Sequence, residues 1–125
     1  MSEDPDHPWG TGATRYRYTP QVTALVRTVE ARFPGVEANT YVCHPWCGWA
    51  RLSVDFWWMG GRGDPLPTYL GPQIRTFLMD QEGSPFIRHT IWEHQIWTSW
   101  GGYSYWSRDD HTGSLRHLHV TYYPH

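Results

Sequence analysis

The chain has 125 residues, of which 17% are aromatic and 18% charged, and its formal net charge is -2. This length suits one compact domain, and so many aromatic side chains can fill a core, which excludes intrinsic disorder. The small negative charge offers no basic field for phosphates, which argues against a nucleic-acid partner. No apolar run is long enough to span a bilayer and the first residues do not resemble a secretory signal, so we expect no membrane partner. The protein is compatible with a cytoplasmic location, release by a phage, or an origin as a mature extracellular fragment.

A flexible arm and a first helix are predicted at the start of the chain. Residues 1–18 are polar and rich in glycine and proline, so we expect the single domain to span residues 19–125. A helix is predicted from Pro20, because Thr19 can cap it and a Pro-Gly pair ends it. The apolar residues at helical spacing are Val22, Leu25, Val26, Val29 and Phe33.

Two strands and a second helix are predicted in the middle of the chain. Residues 41–43 indicate a short strand, and residues 52–58 a longer one that alternates between two faces. A glycine- and proline-rich loop at 60–67 precedes a helix that ends near Gly83. Leu52, Val54 and Phe56 share one face of the longer strand, Ser53, Asp55 and Trp57 share the other, and the helix buries Leu70, Ile74, Phe77 and Leu78.

The C-terminal part predicts a hairpin and a final strand. Residues 86–92 and 95–98 flank a Glu-His turn and predict a hairpin. Residues 100–114 are rich in glycine, serine and aspartate and indicate a loop. Residues 117–123 alternate between apolar and polar side chains, which predicts a strand. This order of helices and strands predicts an α+β domain with a small, mostly antiparallel sheet and two main helices packed on it.

Two histidines and a carboxylate form a candidate metal site. Alternation along the last strand puts His117 and His119 on one face. Asp55 lies in an apolar, aromatic strand, where a buried charge is costly unless it is paired or bound to a metal. His44, in the loop just before, completes with Asp55 and His119 a two-histidine, one-carboxylate set that leaves a fourth position for water, as catalytic zinc requires.

These residues also have purely structural interpretations. A single histidine is more often a hydrogen-bonded core or surface residue than a ligand, and Asp55 can instead cap a turn or pair with Arg51 or Arg62. The remaining histidines are interpreted as structural or exposed, with His111 near the expected mouth of the site: His7, His89, His94, His111 and His125.

Cys43 and Cys47 bracket His44 and leave three alternatives open. They form a disulfide that closes a small ring, remain free thiols, or bind zinc together with His44. Ligation by both thiolates would make a closed, structural site with no place for water, so we favour a disulfide or free thiols.

The C-terminal segments resemble a known family. The chain is similar to the lysostaphin, D-Ala-D-Ala peptidase and hedgehog (LAS) metallopeptidases in two segments, FIRHTIWEHQIWTSW at 86–100 and DHTGSLRHLHVTY at 110–122. It is also similar to them in the order of a histidine, an aspartate in a strand and a His-x-His pair. The two segments most resemble the D-alanyl-D-alanine carboxypeptidase-like domains of actinobacterial and phage cell-wall proteins. The resemblance covers about residues 20–123 and implies a LAS/hedgehog-like fold.

The resemblance also implies an activity and its residues. It implies Zn²⁺ held by His44, Asp55 and His119, with His117 beside the metal as a catalytic residue. The expected function is hydrolysis of peptide (amide) bonds in peptidoglycan or cell-wall peptide by a metal-activated water, in which His117 stabilises the oxyanion or shuttles a proton. The side chains expected to line the substrate are Trp57, Trp97, Tyr103 and Asp110.

The chain departs from the family pattern His-x-x-Gly-x-Ala-x-Asp ahead of the aspartate. Counting back from Asp55, Ser53 replaces Ala, Arg51 replaces Gly and Gly48 replaces His, so His44 requires a four-residue insertion.

The carboxylate that usually precedes the last histidine pair is also missing, because Leu115 and Arg116 occupy its place. Asp109, Asp110 and Glu93 are the candidates to replace it. These departures support an alternative function, a non-catalytic module that binds cell wall or glycan strands through exposed Trp and Tyr.

Overall fold

The computed structural model describes residues 18–38, 52–59, 64–81 and 86–124. These residues form helices α1 (Pro20–Arg32) and α2 (Leu70–Gln81) and one sheet in which every neighbouring pair is antiparallel. The strands are β1 (Val36–Ala38), β2 (Ser53–Trp58), β3 (Ile87–Trp92), β4 (Gln95–Thr98), β5 (Gly102–Tyr105) and β6 (Leu118–Tyr122), in the spatial order β1-β2-β6-β3-β4-β5. The predicted α+β class, with two helices on an antiparallel sheet, is confirmed.

Helix α1 begins and ends where the sequence predicts. The Thr19 hydroxyl accepts a hydrogen bond from the Val22 N–H at 3.3 Å, and Pro20 occupies the first turn, where its missing N–H costs nothing. Gly35 follows the helix with φ 97°, a left-handed conformation that favours glycine, and turns the chain into β1. The predicted apolar residues of α1 belong to the core.

The two faces of the sheet differ in chemistry. One face carries Val54 and Phe56 of β2 and Leu118 and Val120 of β6, which pack with both helices into the hydrophobic core. The opposite face is also buried in its centre but is largely polar. Its buried polar side chains are Ser53, Asp55, His89, Thr98, His119 and Thr121, with His117 just before β6.

Several strand predictions change in the structure. Residues 100–114 were expected to form a loop, but they contain β5, which pairs with β4, and a 3₁₀ turn begins at Gly113. Strand β1 was not predicted, and β6 is one residue shorter at each end than expected. The predicted strand at 41–43 and residues 1–17 of the predicted arm lie outside the described residues.

Within the described ranges, neither helix is long and apolar enough to cross a membrane.

Replacing Gly71 with alanine is expected to destabilise the fold. A Cβ at this position in α2 would lie 2.4 Å from the buried indole of Trp92 in β3. Overpacking costs about 1–3 kcal/mol, and an approach of 2.4 Å to a buried ring belongs to the upper part of that range, above the gain of about 1 kcal/mol in helix propensity. Thermal unfolding should show a lower Tm, whereas Gln73→Ala on the exposed side of α2 should leave the Tm unchanged. A Tm at or above that of the unmodified chain would contradict the close packing of Trp92.

Candidate functional site

The candidate site lies at the centre of the polar face, where β2 and β6 pair. Asp55 and His119 are direct cross-strand partners, and so are Ser53 and Thr121 on the next pair of that face. Partners in an antiparallel pair have Cβ atoms about 4.5–5.5 Å apart, so the register alone brings the carboxylate to the imidazole. Both are almost completely buried, with 5% of Asp55 and 2% of His119 exposed.

Two imidazoles face the same oxygen of Asp55. The His119 Nδ1–H donates to Asp55 Oδ1 at 2.9 Å, and His117 Nε2 lies 3.5 Å from the same oxygen. The other nitrogen of His117, Nδ1, donates to the Leu115 carbonyl oxygen at 2.6 Å. His117 is therefore held with Nε2 directed at the carboxylate.

His111 approaches this group from the loop between β5 and β6. Its Nδ1–H donates to Asp110 Oδ1 at 2.6 Å, and the same oxygen accepts the Trp106 indole N–H at 3.0 Å. The His111 ring stacks on the His117 ring with centroids 4.3 Å apart and lies edge-on to the His119 ring at 6.0 Å. Asp110 and Trp106 therefore orient His111 toward the predicted site.

Aromatic stacking holds the other rings. His117 lies between His111 and the Trp57 indole, whose centroid is 4.3 Å away. His89 stacks on His119 at 5.3 Å, and its Nδ1 accepts a hydrogen bond from the Arg88 guanidinium at 2.8 Å. The histidine rings are thus packed from the side as well as hydrogen-bonded, which restricts their rotation.

The pKa of His117 is raised above its ordinary value. Burial by itself lowers it, but the charge of Asp55 and hydrogen bonds to Asp55 and to the Leu115 carbonyl raise it by more. His117 therefore holds a proton more readily than a free imidazole.

The pKa of His111 moves in the opposite direction. Burial and the charges of His117 and His119 lower the pKa of His111 to about 4, against a smaller upward effect of Asp110. Burial alone would raise the pKa of Asp110, but hydrogen bonds from Trp106 and His111 and the charge of His111 lower it. His111 is therefore neutral at pH 7, with Nδ1 protonated and Nε2 as its only basic nitrogen.

In the metal-free protein, acidification from pH 7 to pH 4 is expected to remove about 3 kcal/mol of stability through His111. Because its pKa falls from 6.5 to about 4 on folding, the unfolded chain binds more protons between these values. This contribution is complete above pH 6.5 and is lost as the pH falls toward 4. The raised pKa of His117 has the opposite effect on the free energy of unfolding. Its stabilising contribution is present below pH 6.5 and is lost as the pH rises through the pKa that His117 has in the folded chain.

Urea unfolding of the chain and of His111→Asn at pH 7, 5.5 and 4 measures this effect. The difference between the two free energies of unfolding should change by about 3 kcal/mol over this range, because only the unmodified chain carries the contribution. A difference that stays constant with pH would contradict the lowered pKa of His111.

The donor set of the site suits zinc. Imidazole nitrogens and a carboxylate oxygen are ordinary Zn²⁺ ligands, and bonds of about 2.0–2.1 Å put two donors of one tetrahedral ion about 3.3 Å apart. The 2.9 Å separation of His119 Nδ1 and Asp55 Oδ1, the two described ligand atoms, is somewhat shorter than that value. Ligating histidines usually hold a partner on the other ring nitrogen, and here His119 Nε2 lies 2.8 Å from Thr121 Oγ1.

The structure describes two of the three predicted ligands. No three His, Cys, Asp or Glu side chains among the described residues are arranged to hold a metal ion. The third predicted ligand, His44, lies outside the described residues, as do Cys43 and Cys47 and their three alternatives. Arg51 and Arg62, the alternative partners of Asp55, also lie outside them.

The residues predicted to line the substrate are not brought together. Trp57 and Asp110 lie at the site. The Trp57 indole stacks on His117, and the Asp110 carboxylate accepts a hydrogen bond from His111. Trp97 and Tyr103 are cross-strand partners on the opposite face of the sheet, the face that carries the core. Of the three candidate carboxylates, Asp110 contacts the histidine cluster, Asp109 pairs with His94, and Glu93 lies in the β3–β4 turn.

His111 and Thr121 are site residues to which the sequence assigned no role. His111 is interpreted from the sequence as a structural or exposed histidine near the expected mouth of the site, and Thr121 only as part of a strand. The adjacent Asp110-His111 pair six residues before His117 was the available signal for the first. For Thr121, the signal was its position two residues after His119, which puts it on the same face.

Comparisons with protein-family models, with curated proteins and with solved structures found no match to this chain.

Proposed function

We propose that this chain is a zinc-dependent hydrolase of the LAS type that cleaves peptide (amide) bonds in cell-wall peptidoglycan. The observation that carries the proposal is the buried Asp55–His119 pair with His117 against the same carboxylate oxygen. A buried carboxylate is costly unless its charge is balanced, and a divalent cation shared with imidazoles balances it. The substrate class rests on the resemblance of residues 86–100 and 110–122 to D-alanyl-D-alanine carboxypeptidase-like domains.

In this proposal Asp55 and His119 hold the zinc together with His44. When bound, zinc lowers the pKa of a water molecule toward 7 and polarises the carbonyl that the water attacks. The cross-strand register of β2 and β6 fixes the two described ligands on rigid strands. Side chains on strands are held more precisely than side chains on loops.

His117 is proposed to donate a proton or hydrogen bond to the developing oxyanion. Its Nδ1–H is occupied by the Leu115 carbonyl, so Nε2, which faces Asp55 in the metal-free protein, is the atom left to donate to the substrate when zinc engages that carboxylate. In the metal-free protein the carboxylate of Asp55 favours the protonated ring, and a protonated Nε2 is a strong donor. Stacking between Trp57 and His111 keeps that ring in place.

His111 is proposed to accept the proton of the attacking water, the role for which the family carboxylate is missing. Asp110 takes the Nδ1–H of His111, which leaves the Nε2 lone pair as acceptor. Two stacked imidazoles whose pKa values are displaced in opposite directions support a division into proton acceptor and proton donor. Asp110 thus acts by orienting His111, as a carboxylate does in other acid–base dyads.

The test is metal content and hydrolysis, measured on protein produced without a histidine tag. We expect about one zinc per chain by mass spectrometry, and cleavage of purified muropeptides that a chelator abolishes and added zinc restores. His119→Ala should lose both, whereas His94→Ala, a half-buried histidine hydrogen-bonded to the Trp106 carbonyl, should keep the metal. A wild-type chain with no transition metal near one per molecule would overturn the proposal.

The same preparation tests the alternative function as a binding module. Protein is mixed with insoluble peptidoglycan in the presence of a chelator and sedimented. Retention that is indifferent to metal, without any cleavage, would favour a wall-binding module that uses exposed aromatic side chains such as Tyr103 and Tyr105.

A further inference from the structure

A buried pair of hydroxyls adjoins the candidate ligand His119. Ser53 and Thr121 are cross-strand partners in β2 and β6, one position along the same face from Asp55 and His119. Thr121 Oγ1 lies 2.8 Å from His119 Nε2 and 3.0 Å from Ser53 Oγ, and each of these three residues is 2% exposed. Both ring nitrogens of His119 therefore have buried partners.

The partners determine the direction of the hydrogen bonds in the metal-free protein. An ionised carboxylate only accepts, so the proton of a neutral His119 ring is on Nδ1, facing Asp55. His119 Nε2 then has a lone pair, and Thr121 donates its hydroxyl proton to it. Ser53 in turn donates to the Thr121 oxygen.

We propose that Ser53 and Thr121 form a reversible hydrogen-bond relay that lets His119 exchange its metal-free tautomer for its metal-binding one. If zinc were bound at Nδ1, the nitrogen that faces Asp55, the ring would carry its one proton on Nε2 instead. One proton would be released from Nδ1 and one taken up at Nε2, both by exchange with solvent, and the ring would stay neutral. Nε2–H then donates to Thr121, and the Thr121 hydroxyl turns to donate to Ser53. The metal-binding half of this inference rests on the proposed function.

Hydroxyls suit this position because each both donates and accepts. An apolar side chain at 121 would take the Thr121 hydroxyl away from the buried Nε2 in either tautomer, and the loss of such a hydrogen bond costs about 1–3 kcal/mol. A carboxylate or carbonyl would accept from Nε2–H only, and would therefore disfavour the metal-free tautomer. Thr121 and Ser53 are thus positioning residues, since they act on the metal only through His119.

The experiment measures the tautomer and the zinc affinity separately. Nitrogen-15 NMR of His119 should show protonated Nδ1 in the metal-free protein and protonated Nε2 after zinc is added. In competition with a chromogenic chelator, Thr121→Val should bind zinc about 10–100-fold more weakly, whereas Thr121→Ser, which keeps the hydroxyl, should stay within about threefold of the unmodified chain.

A matched control is available on the other side of the sheet. Thr90 is also buried in a strand, but it pairs with Val120 on the core face, so Thr90→Val should leave zinc affinity unchanged. If Thr121→Val fails to fold by circular dichroism, Ser53→Ala replaces it, with zinc affinity expected to fall by about 3–10-fold because only the second hydroxyl is lost.

The outcomes separate this inference from the function on which it rests. A chain that binds no zinc overturns both. Normal zinc binding with the same affinity in Thr121→Val and Thr121→Ser, or with Nε2 already protonated in the metal-free protein, overturns the relay alone and leaves the proposed function standing.

Discussion

Replacing Asp55 with asparagine is expected to lower the affinity for Zn²⁺ by about a thousandfold or more, well beyond the roughly 10–100-fold typical of outer-shell changes. Asparagine keeps the size of the side chain but removes the negative charge that faces both His117 and His119. A neutral amide oxygen is a poor ligand for a divalent cation compared with a carboxylate. The zinc content of the purified variant should fall from about one per chain to near zero.

The metal-free form of the same variant provides an independent readout. Because Asp55 raises the pKa of His117, an NMR titration should show the pKa of His117 falling in Asp55→Asn. Glu37→Gln is the matched control, since Glu37 is the exposed cross-strand neighbour of Trp57 on the same sheet face and should alter neither quantity. Unchanged zinc affinity in Asp55→Asn would remove Asp55 from the metal site.

Replacing His111 with asparagine is expected to lower kcat by about 100–1000-fold while zinc stays bound, the size of effect typical of a lost general base. The asparagine amide N–H can take the place of Nδ1 and keep the hydrogen bond to Asp110, but nothing in it corresponds to Nε2. Hydrolysis of muropeptides under zinc saturation, with metal content measured on the same sample, checks the result. Loss of zinc instead would make His111 a ligand and contradict its role as proton acceptor.

Asp110 and its neighbour Asp109 allow a matched test of how His111 is oriented, because Asp110 contacts His111 and Asp109 lies beside His94. Asp110→Asn should lower kcat by about 10–100-fold, because the amide no longer favours the orientation of His111 that leaves Nε2 free. Asp109→Asn, whose side chain is 86% exposed beside His94, should stay within about twofold of the unmodified chain. Equal losses in both variants would point to a general effect of charge on the loop.

The helices and the larger strands could be predicted from the sequence because their signals are local. In α1, the cap, the first-turn proline and the apolar spacing all lie within 15 residues of one another and agree. Alternation in residues 52–58 also assigned Val54 to the core face and Asp55 to the polar face.

Strands β1 and β5 could not be predicted in this way. They contain three and four residues, and β5 consists of glycine, tyrosine and serine between other turn-forming residues. Such short segments become strands because a neighbour supplies hydrogen-bond partners, β2 for β1 and β4 for β5. That information is absent from their own composition.

The candidate site was likewise predictable from the sequence only in part. The sequence by itself determined the α+β class, the face on which Asp55 lies and the shared face of His117 and His119, because side-chain alternation is a property of each strand alone. Only the tertiary structure decided that Asp55 pairs with His119, 64 positions away, because that register depends on how β2 and β6 meet. It likewise showed that Asp110, of the three candidate carboxylates, contacts the histidine cluster, and it brought His111 onto His117, since the path of a loop over a sheet is set by contacts distant in sequence.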